Sequence, residues 1–432
     1  MTTLLFLCIS CAAFAQHRQS NLNTSDITNF WIAYDQICAS RDSTRQYELL
    51  NSFFLEKGTP GLKAIMQARD YTAKSYIDAI NNYPLFWNSI RPNTLKAVGM
   101  AKKIEIALGR LKKLYPALKP SKIYFTIGAL RTGGTTQDGM VLIGSEIAMA
   151  DSSTVSSEFP SSLKHLRPFF NSNPVRNVVF TNVHEYVHTQ QKTTIAENLL
   201  GQSVLEGVAE FLAVKATAQP STIPAMAYGR ANEENVKRRF AQQMFNSFTG
   251  FWLYSNAENE FNMRDLGYYV GYTICERYYN QAADKAKAMQ DMVELDYNNE
   301  AELADFVDKS AYFAQPMNAL HELFESSRPI VTSISPLKNG DTLVSPNVTT
   351  ITLTFSEPMD TRYRNFESGS LGESKLMQVQ KILGFSADSK SLSLEVALKP
   401  IQQYQLIIGP GFRSLWGIAL KPYQINFKTG DK

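Results

Sequence analysis

Apolar residues at Ile27, Phe30, Trp31, Tyr34 and Ile37 recur at i, i+3, i+4 and i+7, and so predict a helix with Ser25 or Asp26 as its cap. The trend continues through Leu62, Ile65 and Met66 and through Ile104, Ile106, Leu108 and Leu111. Pro60, Pro84, Pro92 and Pro116 divide residues 25–118 into several helices. Two strands are expected next, at 122–127 and 140–143, joined by a glycine- and threonine-rich loop at 132–139. Helical spacing returns at Val178, Val179, Val183 and Val187, with Asn173 as N-cap and Pro174 at the first helical position. Further helices are expected around residue 206 and at 232–244, 266–279, 282–293 and 301–306. The texture changes at Pro329. Five strands are expected beyond it, at 330–334, 350–355, 391–396, 404–408 and 423–427, with turn clusters between them at the spacing of a β-sandwich. The fold class is α+β: a mainly helical domain with a small sheet, then an all-β sandwich.

The helix predicted over the valines contains His184-Glu185-Tyr186-Val187-His188, an H-E-x-x-H pentapeptide. Histidines at i and i+4 lie one above the other on a helix face and can reach one tetrahedral zinc ion. The glutamate beside the first histidine is placed to act as general base on water. The chain has only five histidines, and two of them stand here. His165 and His17 sit in loop-like sequence, and His321-Glu322-Leu323-Phe324-Glu325 ends in Glu where a second histidine would be needed.

A catalytic zinc site needs a third protein donor. Glu206 and Glu210, in Leu205-Glu206-Gly207-Val208-Ala209-Glu210-Phe211, are again i and i+4. One carboxylate can bind the metal while the other hydrogen-bonds the second ring nitrogen of a ligating histidine. The small residues Gly207 and Ala209 allow close helix approach around a metal.

H-E-x-x-H followed by E-G-x-A-E-[FY] resembles the gluzincin zinc peptidases in the style of aminopeptidase N. The resemblance implies a zincin-like fold, one Zn²⁺ per chain and Glu206 as the third ligand, with Glu210 left to orient a histidine. It also implies a tyrosine in a Y-x-x-G context that stabilises the oxyanion. Tyr268 with Gly271 fits, and Tyr269 and Tyr272 are the alternatives. No G-x-M-E-N-type strand precedes the histidines. The run from Gly139 through Met140 to Glu146 occupies a comparable place, which makes Gly139, Met140 and Glu146 candidates to hold substrate. Residues 25–325 are also similar to uncharacterised, predicted zinc-dependent proteases of bacterial envelopes, through Ile27–Tyr34, Ile123–Gly128 and Gly133-Gly134-Thr135. Ile334-Ser335-Pro336, Asn339-Gly340 and Thr354-Phe355-Ser356-Glu357-Pro358-Met359-Asp360 resemble bacterial Ig-like domains.

With 432 residues, 44% hydrophobic and 19% charged, the chain has room for two or three packed domains. A net charge of +3 argues for neither nucleic acid nor an anionic membrane. Residues 4–15 form a short apolar stretch ending Ala13-Phe14-Ala15, which reads as a secretory signal too short to span a bilayer. Its n-region lacks Lys or Arg, so the start codon is open, and Cys11 raises a lipoprotein alternative. Cys38 and Cys275 are expected to be free and buried. The expected organisation is a signal peptide at 1–15, a gluzincin-like domain at 16–328 and an Ig-like domain at 329–432. It describes an exported zinc peptidase acting on peptide or protein, attached to the envelope through the Ig-like domain or a lipid. An inactive envelope scaffold that keeps the peptidase fold is the alternative.

Overall fold

The computed structural model describes residues 21–254 and 259–431. The signal peptide expected at 1–15, with Cys8 and Cys11, and His17 beyond it lie outside the described residues. The chain divides into two compact units, residues 1–191 with 212–220 and residues 192–211 with 221–432.

The first unit is helical around a small sheet. Ser25–Cys38 opens it and buries Phe30, Trp31 and Tyr34 in an aromatic cluster with Phe54 and Trp87. Asp26 is not a cap. It is 1% exposed, and its carboxylate accepts from the backbone N–H and hydroxyl of Thr59 (2.9 and 2.6 Å), tying the first helix to the start of Pro60–Ala68. Pro60 and Pro84 each begin a helix, whereas Pro92 lies inside Pro84–Thr94 near its end. The sheet has the order β1-β2-β4-β3, from β1 (Leu22–Asn23), β2 (Ile123–Thr126), β3 (Thr135–Gln137) and β4 (Met140–Gly144). β2 runs parallel to β1 and β4, and β3 pairs antiparallel with β4. The expected loop at 132–139 thus contains an edge strand. Asp138 and Gly139 take positive φ (50° and 69°) to close a two-residue hairpin.

The second unit joins helices to a β-sandwich. Its sheets have the orders β5-β6-β9-β8 and β11-β10-β7. The strands are β5 (Val331–Ser335), β6 (Thr350–Phe355), β7 (Phe366–Glu367), β8 (Val379–Phe385), β9 (Ser391–Val396), β10 (Gln403–Ile408) and β11 (Tyr423–Lys428). Alternate residues of β6 and β9, Ile351, Leu353, Leu392 and Leu394, are fully buried and pack with Leu406, Ile408 and Ile425. β7 and β8 were not expected. The expected boundary at 328/329 falls beside β5 and is no boundary between units, since the contacts of the sandwich group it with helices 221–328.

Cys275 is buried, but Cys38 is exposed, and the described residues form no disulfide. Among them, no helix is long and apolar enough to cross a membrane.

Within the second unit, the part of helix Leu199–Thr217 up to Phe211 and the helix Leu266–Gln281 meet at glycines. A Cβ on Gly207 would lie 2.1 Å from the carbonyl carbon of Gly271, and one on Gly271 would lie 1.7 Å from the Ser203 oxygen. Both contacts are with backbone, so neither can relax by a rotamer change. Gly271→Ala should therefore cost about 1–3 kcal/mol or more, read as a lower denaturation midpoint at unchanged m-value. An unchanged midpoint would refute the close approach.

Candidate metal centre

The helix Val178–His188 is placed by its apolar side. Val178, Val183 and Val187 are buried, and Tyr186 links it to the segment before β2, its hydroxyl donating to the Lys119 oxygen (3.1 Å) and accepting from the Ser121 amide (2.7 Å). The helix starts later than expected. Asn173 has left-handed φ (57°) and makes no capping bond, and Pro174–Asn177 is a 3₁₀ turn, so proline's preset φ serves that turn.

His184 and His188 lie one turn apart, with 9% and 7% exposure. Their Nε2 atoms are 3.1 Å apart and their rings nearly perpendicular (83°). The Nδ1–H of His188 donates to Gln191 Oε1 at 2.6 Å. An amide oxygen only accepts, so this bond puts the His188 proton on Nδ1 and leaves the Nε2 lone pair for a metal. Glu185, between the two, is half-buried and packs on the glycine pair before β3, where a Cβ on Gly134 would come 2.9 Å from its Oε1.

Glu206 and Glu210 lie one turn apart on the mostly apolar helix Leu199–Thr217, with 6% and 2% exposure. The start of that helix is firmly held. The amides of Leu199 and Leu200 donate to the oxygens of Asn246 and Met244 (both 2.8 Å), and Asn198 Oδ1 accepts from the Gly201 amide (2.9 Å). Glu206 Oε1 accepts from the Tyr254 hydroxyl at 2.6 Å, which in turn accepts from Gln202 Nε2 at 2.7 Å. Tyr254 takes positive φ (60°), and its amide donates to Asp265 Oδ1 (3.0 Å). The rings of Tyr254 and Tyr268 meet edge to face at 6.3 Å. Burial, with the Glu206 carboxylate adding to it, holds the Tyr268 phenol well above its ordinary range. Of the other two tyrosines, Tyr272 donates to Glu276 (3.2 Å), and Tyr269 packs against Gly229.

His184, His188 and Glu206 offer one ligand atom each, and these atoms all lie within 4.8 Å of one another. Two imidazoles and a carboxylate, nearly buried, with one tautomer already fixed, suit zinc. Sequence reasoning missed Tyr254 and Gln191. For Gln191 the spacing of three residues after His188 was a usable signal, whereas Tyr254 stands in irregular chain without a motif.

Glu146 is 0% exposed, and its oxygens accept from the amides of Gly128 (2.8 Å) and Leu130 (3.2 Å). It pins the loop 128–131 and has no face for substrate. Gly139 forms the hairpin turn, and Met140 begins β4. Burial pushes the Glu146 carboxyl up to about 7.

Residues 325–429 match the family of bacterial Ig-like domains. The C-terminal sandwich is a domain of that kind. The match leaves the histidines and their helices outside it. No curated protein matches the chain. Among solved structures, the S-layer protein rSbsC(31-844) aligns over 94% of this chain and 45% of its own length, at 10% identity and a TM-score of 0.19. The N-terminal part of the bacterial S-layer protein SbsC aligns over 94% and 68%, at 11% and 0.18. Scores that low carry no argument about fold or function.

The Ig-like domain is tied to the helices of its own unit. Asn246 Nδ2 donates to the Gly417 oxygen (2.9 Å) while its Oδ1 accepts from the Ala419 amide (3.1 Å), and Gln243 Nε2 donates to the Trp416 oxygen (2.9 Å). Asn246 is the residue whose own oxygen receives the Leu199 amide. The Ig-like loop therefore braces the start of the Glu206 helix.

Two predictions follow from these contacts. Gln191→Ala should weaken zinc binding about 10–100-fold, measured by competition with a chromophoric chelator, and an unchanged affinity would remove Gln191 from the site. Glu146 titrates higher folded than unfolded, so its contribution to stability is present below about pH 4.5 and is lost as pH rises through about 7. The loss amounts to about 3 kcal/mol. Glu146→Gln should flatten that decline in denaturation midpoints between pH 5 and 8, and the same slope in both proteins would contradict the buried carboxyl.

Proposed function

We propose that the chain is an exported zinc-dependent peptidase that hydrolyses peptide bonds in a peptide or protein substrate, with one Zn²⁺ per chain. The observation that carries this reading is the convergence of the His184, His188 and Glu206 ligand atoms beside Glu185. A zinc ion held by these three residues supplies a Lewis acid that acidifies water and polarises a carbonyl. Glu185 accepts the proton of the attacking water and passes it to the leaving amine. Its placement against Gly134 limits where the carboxylate can swing. Tyr268 donates its phenolic proton to the carbonyl oxygen as charge develops there, and its upward-shifted pKa keeps that proton available. Tyr254 holds Glu206, and Glu210 orients a ligating histidine. The Ig-like domain supports placement at the cell surface or envelope, where such a domain serves as a spacer or attachment surface.

Peptide-library hydrolysis by the purified full chain tests the reading. Glu185→Gln should retain zinc and lose hydrolysis, and full activity in this variant would sink the assignment. Tyr268→Phe should lower kcat by roughly 10²–10³ with KM little changed. An unaltered kcat would exclude Tyr268 as the donor. Zinc binding without hydrolysis in the wild type would favour an envelope binding role instead.

A further inference from the structure

The near-neutral charge of the whole chain conceals a local concentration in the first unit. The helix Ala101–Leu114 buries Ile104, Ala107 and Leu111 and exposes Lys102, Lys103, Arg110, Lys112 and Lys113 against a single acid, Glu105. Ile106 is 51% exposed in the middle of it. Lys102, Lys103, Arg110 and Lys113 stand at i−4, i−3, i+4 and i+7 from Ile106, so helical geometry puts them on its face. The preceding turn, Leu95–Met100, leaves Leu95 50% and Val98 66% exposed. Beside the helix lies a cavity of about 240 Å³ whose lining includes the apolar Met100, Val175 and Val179 and the cations Lys103, Arg110 and Arg176. Among the described residues, none of these three cations is in an ion pair.

Exposed lysines alone describe a solvated helix. Here three large aliphatic side chains stand exposed among cations without acidic partners, and that combination fits an interface with apolar depth and negative charge at its rim. Nucleic acid would satisfy the charge but leave Leu95, Val98 and Ile106 in water. We propose that this face docks on an anionic phospholipid surface, with a headgroup phosphate seated among Lys103, Arg110 and Arg176 and with Leu95, Val98 and Ile106 entering the headgroup layer. The proposal does not depend on the metal site.

Co-sedimentation of the full chain with vesicles tests it, using phosphatidylglycerol in phosphatidylcholine at 3:7 against pure phosphatidylcholine. Binding to the anionic vesicles alone is expected, and it should weaken as salt is raised. Removing one basic contact should lower vesicle affinity about fivefold, so the triple variant K103E/R110E/R176E should lose about a hundredfold or more. Val98→Asp should also weaken binding, and both variants should keep the wild-type melting temperature because the altered side chains are exposed. The proposal fails if neither vesicle binds, if both bind equally, or if the triple variant binds as the wild type does. It fails equally if a soluble polyanion such as heparin binds and the anionic vesicles do not.

Discussion

Burying a carboxylate inside an apolar helix is the constraint on which the rest of the second unit depends. Leu205, Val208, Ala209, Phe211 and Leu212 are all fully buried, and Glu206 and Glu210 are buried among them. An ionised carboxylate in such surroundings costs several kcal/mol unless hydrogen bonds or a cation compensate. The Tyr254 hydroxyl supplies one compensation, and it requires the chain to reach positive φ at Tyr254. The glycine contact supplies proximity, bringing the helix that carries Tyr268 against the helix that carries Glu206. A divalent ion would complete the compensation, and this is the physical reason to read the glutamates as site residues.

The same constraint gives the Ig-like domain a structural task. A helix that must hold a carboxylate to within a fraction of an ångström needs a fixed origin, and its first amides are received by Asn246 and Met244. Asn246 is fixed by two hydrogen bonds to the loop of the Ig-like domain, and Gln243 links that loop to Trp252, whose oxygen receives the Gly267 amide one residue before Tyr268. Contacts from the sandwich thus lead to the helices that carry Glu206 and Tyr268.

Much of this was legible in the sequence because strong periodicity and a rare motif coincide. The helix at 25–38 and the five clearest strands follow their patterns closely, as does the histidine helix from Val178 on. What was missed lacks periodic signal. β3 is three polar residues inside a glycine-rich run, and β8 is an edge strand whose pairing with β9 shifts twice and which buries no residue fully. Asn173-Pro174 is a sound helix-start signal that was spent on a 3₁₀ turn. Spacing along the chain did not reveal that Glu146 is fully buried. Tyr254 could not be found because its role comes from tertiary position alone.

Zinc content is the most direct test of the central claim. Elemental analysis of the purified full chain, wild type beside Glu206→Ala, should give one zinc per chain in the wild type and a large loss in the variant. No zinc in the wild type after reconstitution, or full retention in the variant, would contradict a three-ligand site built on His184, His188 and Glu206.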